Sequence, residues 1–321
     1  MASQRNASGA RGAPRTGQGL SEPLMPNLFI LGAPKCATSA LWHYLRQHPD
    51  IYMWRKEMHY FGQDLVFKNK PRMTLDTYLG HYKDAGAERY RGDCAIWYLY
   101  STTAAAEIAA ASPEARCIVL LRDPVDMLYS LHSEFLYQGD EDIVDFAGAL
   151  AAEEDRRLGK RIPPMCPTPW ALQYRQVARF SEQLARYRAI FGKKRIHVVL
   201  YDDLAADTAG VYRDVLRFLE IDETFQPAFP VVNANTVVRS GAFRQFLRHP
   251  PRPVRAVGRL AVRNQKTRWA MGRRLLELNT VQVSRPPLDP VLRRRLQVDF
   301  AVEIAQLEEQ IGRDLSVWMA P

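Results

Sequence analysis

A lysine and two hydroxyl residues follow a short apolar run near the start of the chain. The run from Asn27 to Leu31 ends at Gly32-Ala33-Pro34, and a stretch of small residues comes next. A strand, a tight turn and a helix that begins with small residues can bind phosphate through backbone N–H groups. We therefore predict that this loop binds an anion. The candidate residues are Lys35, Cys36, Ala37, Thr38 and Ser39.

The spacing of this loop differs from that of the nucleotide triphosphate loop G-x-x-x-x-G-K-[ST]. Its second glycine is missing, and Lys35 lies three residues before Thr38 instead of beside it. The lysine and hydroxyl that would hold Mg²⁺ and the terminal phosphates are therefore misplaced. We predict no metal site. An ATP-dependent P-loop kinase is the first alternative, and Mg²⁺-dependent ATP binding would favour it.

A second candidate for phosphate binding lies at the end of another apolar run. Arg122 follows the run Arg116–Leu121, and Ser130 lies two helical turns further on. Arginine offers a bidentate fork to phosphate oxygens, and both side chains could reach one phosphate. The alternative is an Arg–Asp ion pair at the start of a helix, because Asp123 and Pro124 are typical of a helix N-terminus.

A carboxylate beside aromatic residues is the candidate general base. Glu57 precedes Met58-His59-Tyr60-Phe61, and we expect desolvation to raise its pKa toward a working value. His59 is the rival base, and an extended segment would point both side chains to the same face. The alternatives are a surface ion pair between Glu57 and Lys56, and a His59 ring that is only packed.

These candidates need strands and helices to position them. Apolar runs predict strands at residues 27–31, 51–53, 116–121 and 195–201. Apolar periodicity predicts helices at residues 40–47, 169–191, 208–219 and 290–311. Alternation of strands and helices predicts an α/β fold, with a P-loop-like central parallel sheet flanked by helices and a helical C-terminal extension.

Composition limits the class of protein. Residues 1–25 lack an apolar segment and are predicted to be a disordered leader, and residues 26–321 are predicted to be one domain. Apolar runs are too short for a membrane span. The four cysteines are predicted to be unpaired and buried, which favours a cytoplasmic protein. The formal net charge of +9 favours anionic partners.

The C-terminal third contains an unbalanced basic segment. Residues 224–276 hold eleven Lys or Arg and no acidic residue. Arg252, Arg255, Arg259 and Arg263 recur at helical spacing. Residues 239–274 could attract an anionic donor or contact an acidic polymer or a membrane surface. A solvated helix face is the alternative, and we expect no nucleic-acid partner.

The two loops together make the chain similar to the sulfotransferases that use 3′-phosphoadenosine-5′-phosphosulfate (PAPS), in their glycosaminoglycan-type and bacterial branches. The first loop resembles that family's G-x-P-K-x-G-T-[ST] loop, and Arg122 and Ser130 match its 3′-phosphate pair. Three further segments resemble family motifs. They are Gln47-His48-Pro49-Asp50-Ile51, Lys56-Glu57-Met58-His59-Tyr60-Phe61 and Tyr201-Asp202-Asp203-Leu204.

The resemblance implies transfer of a sulfuryl group from PAPS to a hydroxyl of a small molecule, glycan or lipid. It implies that Lys35 stabilises the leaving phosphate, that Glu57 or His59 is the base, and that Tyr201 belongs to the donor site. Arg239 is a further candidate for the 3′-phosphate. A non-catalytic anion-binding protein with the same fold is the second alternative, and it would bind PAPS without turnover.

Two departures from the family pattern affect different parts of the site. Ala37 replaces the usual glycine of the first loop, which could restrict the approach of the backbone to the donor. Residues 93–98 stand where the family has E-x-[ST]-P-x-Y, and its Ser-Pro pair is absent. Because that segment lines the acceptor cleft in the family, its change leaves the acceptor open.

Overall fold

The computed structural model describes residues 25–68, 71–230, 236–238, 280–282 and 285–320, together with single positions at 254, 264, 267, 271 and 274. Its centre is a five-stranded sheet in which every pairing is parallel. The strands are β1 (Leu28–Gly32), β2 (Ile51–Met53), β3 (Tyr90–Cys94), β4 (Arg116–Leu121) and β5 (Ile196–Leu200). Their spatial order is β2-β3-β1-β4-β5.

Helices surround this sheet. They are α1 (Thr38–Leu45), α2 (Leu75–Gly80), α3 (Ala104–Ala111), α4 (Pro124–Gln138), α5 (Phe146–Ala151), α6 (Glu153–Arg157), α7 (Tyr174–Val177), α8 (Phe180–Phe191), α9 (Tyr201–Ala206), α10 (Thr208–Leu219) and α11 (Pro290–Ile311). Short 3-10 helices span Pro169–Leu172, Lys193–Arg195 and Ser316–Met319. Two further strands, β6 (Thr236–Val238) and β7 (Thr280–Gln282), form an antiparallel pair. The predicted α/β fold is confirmed.

The central strands are buried because helices cover the sheet. Leu28 to Leu31 of β1 and Cys117 to Leu121 of β4 have no exposed surface. Near-continuous apolar runs are what a parallel strand with two covered faces requires. The predicted strands at 51–53 and 116–121 and the helices at 208–219 and 290–311 have the bounds expected of them.

The predicted continuous helix over residues 169–191 is wrong. The segment divides into a 3-10 turn, α7 and α8, with breaks at Gln173 and at Ala178-Arg179. Side chains satisfy the backbone groups that the breaks leave. The Gln183 amide donates to the carbonyls of Gln176 and Val177, each at 3.1 Å. Side-chain hydrogen bonds within the segment therefore replace the backbone bonds that a continuous helix would have made at this break.

The parallel arrangement brings the candidate loops to one edge of the sheet. The chain leaves β1 at Gly32, β4 at Arg122 and β5 at Tyr201, all at carboxyl ends of strands. Strands β2 and β3 lie on one side of β1, and β4 and β5 lie on its other side. The direction in which strands are added therefore reverses between β1 and β4. Ligands of open α/β sheets bind at such a switch point.

Several composition-based predictions concern the rest of the chain. All four cysteines are unpaired and buried, as predicted. Among the described residues, no helix has the length and apolarity needed to cross a bilayer. The predicted leader lies outside the described residues apart from Met25, and so does nearly all of the basic segment 239–274.

Candidate active site

The first loop turns sharply between β1 and α1. Gly32 has φ of 139°, and a Cβ there would lie 2.6 Å from the Ile96 carbonyl oxygen, so the position requires glycine. Lys35 and Ala37 adopt left-handed φ values of 61° and 65°. Ala37 is the N-cap of α1 and provides no side-chain hydrogen bond. The first N–H groups of the helix are therefore suited to binding an anion.

The side chains of this loop face different directions. Lys35, Ala37, Thr38 and Ser39 line a cleft of about 560 Å³. Cys36 is fully buried instead, and its thiol donates to the Pro34 carbonyl at 3.3 Å. Burial raises the pKa of this thiol to about 12. Cys36 can therefore contact an anion only through its backbone N–H.

A second lysine, Lys56, reaches the first loop from the segment that carries Glu57. The Lys56 ammonium donates to the Ser39 hydroxyl at 2.7 Å and to the Thr38 hydroxyl at 3.2 Å. It also lies 3.3 Å from Oε1 of Glu57. Lys35 pairs with Oε2 of Glu134 on α4 at 2.8 Å. Two ammonium groups thus stand at the start of α1.

Glu57 and His59 are brought together by an unusual backbone. Nε2 of His59 lies 3.3 Å from Oε2 of Glu57, and both residues line the cleft. The segment is not extended as expected, because Glu57 and His59 have left-handed φ values of 63° and 53°. Such conformations cost energy in residues other than glycine and concentrate at functional sites.

Backbone contacts fix the Glu57 segment to β3 and the loop after it. The Glu57 N–H donates to the Cys94 carbonyl at 2.8 Å, and the Ile96 N–H donates to the Glu57 carboxylate at 3.1 Å. The Glu57 side chain is 34% exposed and that of His59 is 9% exposed. The expected desolvation of Glu57 is therefore only partial, and its contacts suit an ionised carboxylate.

A buried carboxylate lies behind this segment. Oδ2 of Asp93 accepts hydrogen bonds from the hydroxyls of Tyr78 and Tyr98, at 2.6 and 2.8 Å. The Tyr98 oxygen in turn accepts from the N–H of Tyr60, at 3.1 Å. Burial raises the pKa of Asp93 to about 6, although both tyrosine hydrogen bonds act against the shift. Asp93 thereby supports the segment that carries Glu57 and His59.

The second loop forms a separate cluster at the end of β4. The Arg122 guanidinium lies over the Tyr201 ring, 4.4 Å from the ring centre, in a cation–π contact. Arg122 also pairs with Asp126 at 3.7 Å. Asp123 caps α4 by accepting from the Val125 N–H at 2.8 Å, as its predicted N-cap role requires.

An arginine from the far end of the chain completes this cluster. Nη2 of Arg285 donates to the buried Ser130 hydroxyl at 3.1 Å. Burial and the nearby positive charge of Arg122 lower the pKa of Arg285. Two guanidinium groups and a hydroxyl thus share one site, which an anion would stabilise. The other predicted arginine, Arg239, lies outside the described residues.

The structure is an α/β protein with two cationic clusters, each suited to an anion, at the carboxyl edge of a parallel sheet. Comparison with known proteins narrows this class. A family model described as the sulfotransferase family matches residues 98–227. A solved sulfotransferase from Alicyclobacillus acidocaldarius is 26% identical, with a TM-score of 0.68 over 92% of this chain and 99% of that one.

Two curated relatives are sulfotransferases as well. Heparan sulfate glucosamine 3-O-sulfotransferase 3B1 from Mus musculus is 26% identical over 205 residues, which is 63% of this chain and 47% of that protein. Carbohydrate sulfotransferase 15 from Mus musculus is 24% identical over 249 residues, which is 61% of this chain and 44% of that protein. The chain therefore spans about half the length of the curated relatives it matches.

The chain is thus similar to the sulfotransferase family, in sequence over residues 98–227 and in the fold of most of its length. This similarity confirms the family resemblance drawn from the two loops. The relatives named above are sulfotransferases, which are enzymes that transfer sulfuryl groups. The similarity favours an enzyme of this type over the kinase and the non-catalytic alternatives.

Proposed function

We propose that the protein is an O-sulfotransferase that moves a sulfuryl group from PAPS to a hydroxyl acceptor. The observation that carries the proposal is the presence of two cationic clusters at the ends of adjacent strands. One contains Lys35 and Lys56 beside the start of α1, and the other contains Arg122 and Arg285 beside Ser130. A nucleotide phosphorylated at both its 5′ and 3′ positions matches two anion sites.

The first cluster suits the 5′-phosphosulfate. Lys35, Thr38 and Ser39 line the cleft, and Lys56 hydrogen-bonds to both hydroxyls. Ammonium groups at this position would neutralise the charge that develops on the bridging oxygen as the sulfuryl group departs. We assign this role to Lys35, with Lys56 holding the hydroxyls. Sulfuryl transfer resembles phosphoryl transfer, in which catalysis rests on positioning and charge stabilisation.

Glu57 is the proposed base. The acceptor oxygen attacks sulfur, the bond between sulfur and the bridging oxygen of the 5′-phosphate breaks, and the acceptor proton passes to the Glu57 carboxylate. Glu57 is preferred to His59 because its side chain is more exposed to the cleft. His59 then holds the carboxylate through its 3.3 Å contact. Removal of such a base slows turnover by roughly 10²–10⁴-fold.

Calorimetry with a matched pair of nucleotides tests the donor assignment. 3′-Phosphoadenosine 5′-phosphate (PAP) and adenosine 5′-phosphate differ only in the 3′-phosphate, and we expect PAP to bind at least about 100-fold more tightly. Arg122→Ala should remove most of that preference. Arg157→Ala is the control, because Arg157 is 63% exposed and pairs only with Glu154 among the described ion pairs. Unchanged PAP affinity in Arg122→Ala would contradict the 3′-phosphate assignment.

A further inference from the structure

Helix α11 has an apolar face that fixes it to the rest of the fold. The helix lies against α8 and α4. Its buried apolar side chains recur at intervals of three and four residues, and they are Leu296, Phe300, Ile304 and Leu307. This core face is what an amphipathic helix needs to dock on a domain, and the remaining faces are expected to be polar.

A second apolar row nevertheless runs along α11. Val291, Val298 and Val302 are 63% to 77% exposed, and the exposed Ala305 continues the row. We call these four residues the valine stripe. At about 100° per residue, the valine stripe lies about 180° around the helix from the core face. Valine is a weaker helix former than alanine or leucine, so helix propensity does not explain three exposed valines.

Opposite charges stand at the two ends of the valine stripe. Arg295 precedes Val298 by three residues, Glu309 follows Ala305 by four, and both charged residues are exposed. Glu309 lies in the last turn of α11, where the helix dipole disfavours a negative charge. A positive group from outside the helix would offset this cost. The stripe therefore presents an apolar row with a cation at one end and an anion at the other.

We propose that the valine stripe is a dimer interface that binds a second copy of this chain with the two α11 helices antiparallel. Arg295, Val302 and Glu309 are seven residues apart, so they lie on one side of the helix. A two-fold axis near Val302 places Arg295 opposite the partner's Glu309 at both ends of the interface. The valines of the two copies then meet between these ion pairs, as in an apolar helix–helix seam.

The charges select this arrangement over the alternatives. In a parallel pair of helices, each charged residue would face its own copy, and the like charges would repel. Apolar side chains that are scattered singly over a surface are ordinary, whereas a row of them with polar ends is typical of an interaction site. None of the described residues that line the cleft belongs to α11. The inference is therefore independent of the proposed function.

The molecular mass of the full chain in solution tests the inference. Sedimentation equilibrium between about 1 and 100 µM should show a mass that rises from 36.7 kDa toward twice that value. Val302→Glu places two carboxylates at the centre of the interface and should weaken association by at least about 10-fold. Val144→Glu is the control, since Val144 is exposed before α5, and it should associate as the wild type does.

Two outcomes of this experiment overturn the inference. One is a wild type that stays at 36.7 kDa over the whole range, which would leave the valine stripe to a different partner. The other is a dimer that Val302→Glu does not weaken, because its interface would lie elsewhere. Circular dichroism and thermal unfolding check that each variant is folded.

Reversal of the end charges supplies a second test, which keeps the apolar surface intact. Arg295→Glu opposes glutamates at both ends and Glu309→Arg opposes arginines, so each variant alone should associate at least about 10-fold more weakly than the wild type. An equimolar mixture of the two variants pairs every glutamate with an arginine, and it should associate within about 3-fold of the wild type. A change confined to the monomer cannot be repaired by mixing. A mixture that associates no better than its components overturns the antiparallel interface.

Discussion

The Lys56 ammonium lies 2.7 Å from the hydroxyl oxygen of Ser39, although 17 positions separate the two residues. This contact joins the loop after β2 to the first turn of α1. Lys56 also lies 3.3 Å from Glu57. One side chain thereby connects the proposed donor loop with the proposed base.

Replacement of this lysine tests its part in donor binding. Lys56→Met keeps most of the side-chain length but removes the charge, so PAP affinity should fall by about 10- to 100-fold, as expected for loss of a charged hydrogen bond. Calorimetry measures the change. Lys193→Met, at an exposed position before β5, should bind PAP as the wild type does. Equal affinity in both variants would show that Lys56 has only a structural role.

Substitution of the two candidate bases separates their roles. Glu57→Gln should retain PAP affinity while kcat falls by roughly 100-fold or more, because the amide cannot accept the acceptor proton. His59→Asn should lower kcat less, since it removes only the support of Glu57. Single-turnover measurements with PAPS compare the two. A larger loss of kcat in His59→Asn, with near-normal turnover in Glu57→Gln, would make His59 the base and Glu57 its support.

The sequence predicts the parts of this site that depend on local pattern. Lys35, Thr38 and Ser39 follow from a strand, a turn and small residues, and Arg122 with Ser130 follows from a strand end and helical spacing. Arg285 could not be predicted in this way, because 155 positions separate it from Ser130. Lys56 is adjacent to Glu57 in the sequence, but only the fold shows that its side chain reaches the Ser39 hydroxyl.

Other differences have equally specific causes. Glu57 and His59 were expected to share a face of an extended segment, yet two left-handed residues bring them together. Hydrogen bonds to the Cys94 carbonyl and from the Ile96 N–H hold Glu57 in place. They involve β3, which the periodicity did not identify, and the loop that follows it. The helix predicted over 169–191 failed because side-chain hydrogen bonds compete with its continuation.

The buried carboxylate of Asp93 should make stability depend on pH. Its folded pKa of about 6 exceeds its unfolded value, so its contribution is full below about pH 4 and is lost as pH rises through 6. Between about pH 5 and about pH 8 the wild type should lose about 1 kcal/mol that Asp93→Asn does not lose. Urea unfolding at both pH values measures this. Equal losses in the free energy of unfolding of the two proteins would show that Asp93 is not the source of the pH dependence.

The alanine at the N-cap of α1 offers a stability test with a matched control. Ala37 has a φ of 65°, so Ala37→Gly should raise the free energy of unfolding by about 0.5–1 kcal/mol and leave PAP affinity intact. Ala106→Gly, at an exposed position within α3, should lower it by a similar amount. Destabilisation by both glycines would mean that the left-handed backbone of Ala37 is not strained.

Helix α4 contributes to both cationic clusters, since Ser130 belongs to the proposed 3′-phosphate site and Glu134, one turn later, lines the cleft and pairs with Lys35. The two sites are therefore spaced by a rigid rod that rises about 1.5 Å and turns about 100° per residue. Insertion of a single residue between Ser130 and Glu134 would turn Glu134 by about 100° away from Lys35 while Ser130 keeps its place beside Arg285. The length of this turn of α4 therefore sets the register between the two cationic clusters.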